Sequence, residues 1–568
     1  MRKFLCFLFL LAVPLSRVKA LYNPLSLPNN RYGIHVADMS DIEEASKLVN
    51  SSGGDWGYVT LVISEADRNA GRMQEVFNDM RRYHLIPIVR IATHFENGAW
   101  TVPQKIDADK WSSFLGSLNW PVENRYVVLF NEPNHAKEWG NSIDPEGYAD
   151  VAVAYTQALK KSSEDFFILP AGFDASAPSG GQTLDEQDFL RRMDAQNPGI
   201  FNTFDGWTSH SYPNPGFSSS PYGRGKGSIG SFLWEMDYLK SLSLTKKLPV
   251  FITETGWIHS QGKNISPALS SPEAVGMQYR EASETIWKDP SVAAITPFVF
   301  NYQDMPFDHF SFRKIGSREY YSHYASYASI VKQDGTPKQR ERFTFREPPI
   351  PDTLITNSTY TFTQDLKNSG QCILSKDDGY ELTISGQTSS FSFFAESLPI
   401  IEPGEEKPVQ FHLKTPREEG QYALTLRLTH NGSPIDLSVQ TVTVIPPPNI
   451  AIRTVFGWKK AVNQKNATVL IYSQNNELLH KFTNLTVTDN ALTITGLYNM
   501  VPGSTYRLVM LVPRYLPRQA HIVLGEGTTN ATLRRFLPLD FNGDGMLSIE
   551  DLPALLFTTP YAVFERFF

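Results

Sequence analysis

Two short stretches end apolar runs in carboxylates. The first, VVLFNEPNH, runs from Val127 to His135 and closes with an amide, a carboxylate, a proline, a second amide and an imidazole. The second, PVFITETGW, closes with Glu254 and Trp257. A glutamate at the tip of a buried strand needs a polar space to enter, and a single one is usually solvated or salt-bridged. Two that face each other can hydrolyse a glycosidic bond, one protonating the leaving oxygen and the other attacking the anomeric carbon. Carboxyl groups about 5 Å apart retain configuration, whereas about 6.5–9.5 Å admits a water and inverts it. Arg90, in IPIVRIA, is a candidate to hydrogen-bond Glu254 and keep it ionised, or else to pair with a structural acid. His35, in RYGIHVA, and Trp257 are candidates to line a sugar subsite, an aromatic face being suited to sugar C–H groups.

Such residues need a scaffold that gathers strand tips on one rim. Between Arg31 and about Tyr327, eight apolar runs alternate with amphipathic stretches: RYGIHVA, GYVTLVI, IPIVRIA, YVVLFNE, FFILPAG, FDGWTSHSY, PVFITETGW and ITPFVFNYQ. The runs are nearly continuous in apolar residues, as in parallel strands buried on both faces. Eight strand–helix units predict a (β/α)8 TIM barrel, whose catalytic groups sit at the C-terminal strand ends. An open doubly wound sheet would alternate in the same way, but no G-x-G-x-x-G follows the first strand. Glu132 then stands after strand four and Glu254 after strand seven. The loop NPGFSSSPYGRGKGSIG after strand six is long, Gly/Ser-rich and basic, and reads either as a lid over the cleft or as a plain solvent loop.

NEPN after strand four and ITETGW after strand seven resemble the clan A glycoside hydrolases, the retaining 4/7 superfamily, over residues 30–330. The resemblance implies that Glu132 is the acid/base and Glu254 the nucleophile. Asn131 matches the amide that holds the sugar 2-hydroxyl. In SHSYPNP, His210 and Tyr212 match residues that support the nucleophile. Many members carry a tryptophan after strand eight, where this chain offers Phe300, Asn301 and Tyr302.

The pattern changes at FREPPIPD. Alternating runs such as YELTIS and QYALTLRLTH predict a β-sandwich over 346–448, with a turn at His430-Asn431-Gly432. After IPPPN, a second β domain is expected over 449–534, and the barrel domain over 21–345. The last segment, 535–568, contains LDFNGDGMLSIEDL. Asp540, Asn542, Asp544 and Asp551, with the Met546 carbonyl and Ser548, have EF-hand-like calcium-loop spacing, and Gly545 permits the sharp turn. The unit resembles a dockerin repeat, of which a full dockerin has two and this chain one. Calcium is thus expected there, with a cohesin-like scaffold or cell surface as a candidate partner. No cofactor is expected for catalysis.

The full chain of 568 residues is too long for one core, and its net charge of −7 argues against a general nucleic-acid binder. Aromatic residues make up 12%, enough for both large cores and sugar stacking. The N-terminus has two cations, an apolar run from Phe4 to Leu15 and Val18-Lys19-Ala20, a signal-peptide pattern with cleavage after Ala20. Removing residues 1–20 takes Cys6 and leaves Cys372 alone, so no intrachain disulfide is possible. Sequons occur at Asn264, Asn357 and Asn484. The sequence therefore predicts a secreted or cell-surface glycosidase with a carbohydrate substrate and no membrane span after cleavage. The alternative is a cell-envelope carbohydrate-binding or adhesion protein on an inactive barrel, since fold does not dictate function.

Overall fold

A computed structural model describes residues 21–346, 349–386, 391–457 and 462–557, so the expected leader lies outside the described residues. The chain divides into two compact units, the first ending at Glu341 and the second beginning at Arg342.

In the first unit, each apolar run forms a strand: β1 Gly33–Val36, β2 Gly57–Ser64, β3 Leu85–Ala92, β4 Arg125–Leu129, β5 Phe166–Pro170, β6 Trp207–His210, β7 Val250–Glu254 and β8 Val292–Ile295. Eight helices alternate with them: α1 Ile42–Val49, α2 Ala70–Arg82, α3 Ala108–Ser117, α4 Pro145–Ser162, α5 Glu186–Gln196, α6 Ser231–Ser241, α7 Pro272–Glu284 and α8 Ser322–Ala328. Strands β1 to β5 form one parallel sheet and β6 to β8 another. Two seams close the ring. Tyr32 bridges Ile295 in parallel, with the Ile295 amide donating to the Arg31 carbonyl, and Asp174 bridges His210. The unit is therefore a (β/α)8 barrel.

Period-two alternation decides what fills the barrel. Tyr58, Tyr126, Phe167 and Phe251 turn inward and meet with ring centroids 4.9–6.3 Å apart. Their neighbours Val59, Val127, Phe166, Ile168, Val250 and Ile252 turn outward into the core shared with the helices. The aromatic plug closes the lower barrel. Above it, the hydroxyls of Thr60 and Thr296 pair at 2.8 Å.

The second unit holds two β cores. In the first, two four-stranded sheets enclose residues that include Leu366, Phe411, Leu426 and Val442. The hairpin at Asn431-Gly432 turns through positive φ at both residues (48° and 81°), as a tight two-residue turn requires. Phe343–Phe345 pairs with Thr359–Asn368, so the division falls slightly before the expected boundary at 345. The second core gathers Ile450, Val469, Leu508 and Phe536, which reaches past the expected end at 534. No helix among the described residues is long and apolar enough to cross a membrane.

Candidate active site

The tip of β4 is built to turn a carboxylate into the rim. Phe130 and Glu132 hold positive φ (72° and 27°), an uncommon conformation for such side chains. Backbone bonds hold it there: the Glu132 amide donates to the Gly172 carbonyl at 3.1 Å, and the His135 amide donates to the Glu132 carbonyl at 2.8 Å. Asn134, wholly buried, donates to the carbonyls of Asp174 and Leu184 at 3.0 and 3.1 Å and ties the β4 loop to the β5 loop. Strain of this kind persists where the surroundings over-determine it, and such places are commonly functional.

Glu254, the last residue of β7, meets Glu132 across the rim. One carboxylate oxygen of each and a ring nitrogen of His210 all lie within 4.8 Å of one another. His210 Nδ1 is 2.9 Å from Glu132 Oε1 and 3.8 Å from Glu254 Oε2. Arg90, on the inward register of β3 with Ile86 and Ile88, donates to Asn131 Oδ1 at 2.7 Å and also to Glu254 Oε1. The Tyr212 hydroxyl donates to Glu254 Oε2 at 3.1 Å. His35 Nε2 lies 3.9 Å from Glu254 Oε1.

These contacts set the charges. Burial by itself would raise the pKa of Glu254, but His210 and Arg90 outweigh it and hold the carboxyl below the usual range. Burial likewise opposes a charged His210, yet Glu254 and Glu132 raise its pKa above the ordinary value. Burial drives His35 down to about 3, so it is neutral beside this charged group. Three donors so close could ligate a metal. Here Arg90 donates to Glu254 Oε1, and His210 Nδ1 lies against Glu132 Oε1.

The site opens into a pocket of about 450 Å³. Asn131, His135, Glu138 and Asp174 line one side, with His135 Nε2 2.9 Å from Asp174 Oδ2. Burial and the neighbouring Glu132 charge raise the pKa of Glu138. Phe217, Phe298, Phe307 and Phe310 line the other side.

Among the expected residues, Glu132, Glu254, Asn131, Arg90 and Tyr212 line this pocket, while His35 and His210 stand behind it, each 2% exposed. Trp257 departs from its expected place. It is 1% exposed, packs against Tyr279 and Trp287 in the helix–strand core, and donates its indole N–H to the Ser219 carbonyl. It therefore offers no face to a sugar. Phe300 is also core, and Asn301 is turned to Asp41 at 2.8 Å. Sequence reasoning passed over Phe298, which lies two residues before Phe300 and fronts the pocket. The Gly/Ser-rich loop supplies Phe217 to the wall, and Lys226 of the same loop pairs with Asp185 at 2.5 Å.

In the C-terminal loop, Asp540 accepts the amides of Gly543 and Gly545, and Asp551 accepts those of Phe541, Asn542 and Ser548. Both aspartates are buried, whereas Asn542, Asp544 and Met546 stand at the surface side of the loop.

No family model matches this chain, and no curated protein matches it. Among solved structures, it is similar to a family 39 glycoside hydrolase from the gut symbiont Bacteroides cellulosilyticus WH2, at 14% identity over 70% of this chain and 83% of that one, with a TM-score of 0.39. It is also similar to the chitinase ChiW from Paenibacillus sp. str. FPU-7, at 11% identity over 76% and 58% of the two chains and a TM-score of 0.30. An endo-1,4-beta-mannanase from Eisenia fetida matches at 10% identity over 55% and 94%, with a TM-score of 0.33.

Proposed function

We propose that this protein is a secreted or cell-surface retaining glycoside hydrolase that cleaves O-glycosidic bonds of an oligosaccharide, polysaccharide or glycoconjugate. The observation that carries the reading is the approach of the Glu132 and Glu254 carboxylate oxygens to within 4.8 Å. Carboxylates whose oxygens come this close fit double displacement better than inversion, whose two carboxyl groups stand about 6.5–9.5 Å apart to admit a water. Glu254, ionised and held between Arg90 and Tyr212, attacks the anomeric carbon, while Glu132 gives a proton to the departing oxygen. The glycosyl ester so formed on Glu254 is then hydrolysed by a water that loses its proton to Glu132. His210 shares a hydrogen with Glu132 in one 2.9 Å bond. Asn131, oriented by Arg90, faces the pocket where a sugar hydroxyl would lie.

The test is a panel of aryl β-glycosides and polysaccharides with product anomers read by NMR. We expect turnover with retained configuration, reduced by several orders of magnitude in Glu132→Gln on unactivated substrates and in Glu254→Gln on all. Inverted product, or full activity in either variant, refutes the reading. We further propose that the loop from Asp540 to Asp551 binds calcium through Asp540, Asn542, Asp544, the Met546 carbonyl and Asp551, stabilising the C-terminal unit. A scaffold partner docking through this loop is the finer form of that proposal.

A further inference from the structure

The hydrolysis just described uses the polar side of the pocket and leaves the other side without a role. There, four phenylalanines form a chain of edge-to-face contacts. Phe217 meets Phe310 at 5.3 Å, Phe310 meets Phe298 at 5.7 Å, and Phe298 meets Phe307 at 5.1 Å. The rings come from the loops after β6 and β8 and offer no hydrogen-bond donor or acceptor. At the foot of the wall, the Tyr212 hydroxyl is already committed to Glu254. A second sugar can lay its C–H face on these rings, but any hydroxyl turned to the wall would lose water and find no replacement, at a cost for each unsatisfied group.

The wall does more than pack its loops together. Its outer ring, Phe307, is 37% exposed, and the adjacent Met305 is 62% exposed. Across the mouth, the pocket-lining Trp100 carries Phe95 against it at 5.4 Å, and Phe95 is 61% exposed. Large apolar side chains left open on both lips of a cleft with a charged floor mark a surface that an apolar ligand would cover.

We propose that the substrate is a sugar joined to an apolar group, an alkyl or aryl aglycone. That group lies along the phenylalanine wall while the sugar is held on the β4–β5 side. The proposal rests on the glycosidase reading and narrows its substrate class.

The test uses methyl, butyl, hexyl and octyl β-D-glucosides and β-D-galactosides below their micellar concentrations, with benzyl and 2-phenylethyl members to separate an aryl from an alkyl preference. Burial of a methylene at about 0.8 kcal/mol corresponds to a gain of up to about fourfold in kcat/KM. We expect kcat/KM to rise about two- to fourfold per methylene through the hexyl member, and the rise to flatten in Phe307→Ser. Hydrolysis independent of chain length, or oligosaccharides preferred over the octyl glycosides, overturns the proposal. If neither series is hydrolysed, the same glycosides are titrated calorimetrically into the Glu254→Gln protein. Affinity that rises with chain length upholds the wall's role independently of turnover; affinity independent of chain length, or no binding, overturns it.

Discussion

Gly172, just past the end of β5, is the position where one methyl group should separate folding from catalysis. A Cβ built there would lie 2.2 Å from His210 Cδ2 and 2.4 Å from Nε2, whereas ordinary contact begins at 3.4 Å. Gly172→Ala therefore demands a displacement of about 1.2 Å. His210 is 2% exposed and has no open space to enter. If the ring gives way, its 2.9 Å bond to Glu132 is broken. If the backbone gives way, the Gly172 carbonyl leaves the Glu132 amide that it accepts at 3.1 Å. Either movement disturbs Glu132. Misplacement of about 1 Å at a reacting group can cost about 10²-fold, and overpacking costs about 1–3 kcal/mol of stability. We expect kcat/KM on an aryl β-glycoside to fall about 100-fold in Gly172→Ala, with the protein still folded at 25 °C. A double-mutant cycle with His210→Ala isolates the route. Where His210 is already absent, adding the methyl should cost little. Additive losses, or a Gly172→Ala enzyme with unchanged kcat/KM, would refute the reasoning.

Three further outcomes follow from the charges and the loop. Glu254 is held below the ordinary carboxylate range, so its ionised form, and the stability that form contributes, is complete above the unfolded value of about 4.3 and is lost only as pH falls through the lower folded value. Arg90→Met leaves burial less opposed, and the acid limb of the kcat/KM profile should move up by about one pH unit or more; an unmoved limb counts against Arg90 as the partner of Glu254. Glu186 opens α5 fully buried, and neither of its carboxyl oxygens has a hydrogen-bond partner among the described residues. Burial first and the Glu235 charge second push its pKa well above the usual value, so it is neutral when folded and ionises on unfolding. It therefore draws stability away as pH rises from about 4.3 towards its folded pKa. Glu186→Met should gain up to about 3 kcal/mol at pH 7 and little near pH 4.5 in denaturant titrations, and an equal change at both pH values refutes this. Calcium titrated calorimetrically should bind with heat that is lost in Asp540→Ala, and EDTA should lower the thermal midpoint of the C-terminal unit. Absence of both effects removes the calcium proposal.

All eight barrel strands were legible because parallel strands buried on both faces leave near-continuous apolar runs, and such runs stand out against amphipathic helices. Arg90 was legible for a related reason, as a cation near the end of an otherwise apolar strand. Trp257 and Phe298 were not. Each lies three residues past the end of a rim strand, and nothing local says which one turns to the helices and which to the cleft. Trp257 finds Tyr279 and Trp287, more than 20 residues away in sequence, while Phe298 finds His35 and Phe310. The unpartnered Glu186 was also invisible, since a glutamate at a helix N-terminus ordinarily reads as a favourable first-turn charge.

The sequence by itself determined that two glutamates would stand at strand tips on one rim. Apolar runs set the strands, and the uniform direction of βα units sends all their C-terminal ends to the same side. Only the tertiary structure decided that the two side chains approach within 4.8 Å, that His210 stands between them, and that phenylalanines wall one side of the cleft. Those distances depend on how the ring closes and on which loop residues the distant helices bury, and neither is encoded in a local run of residues.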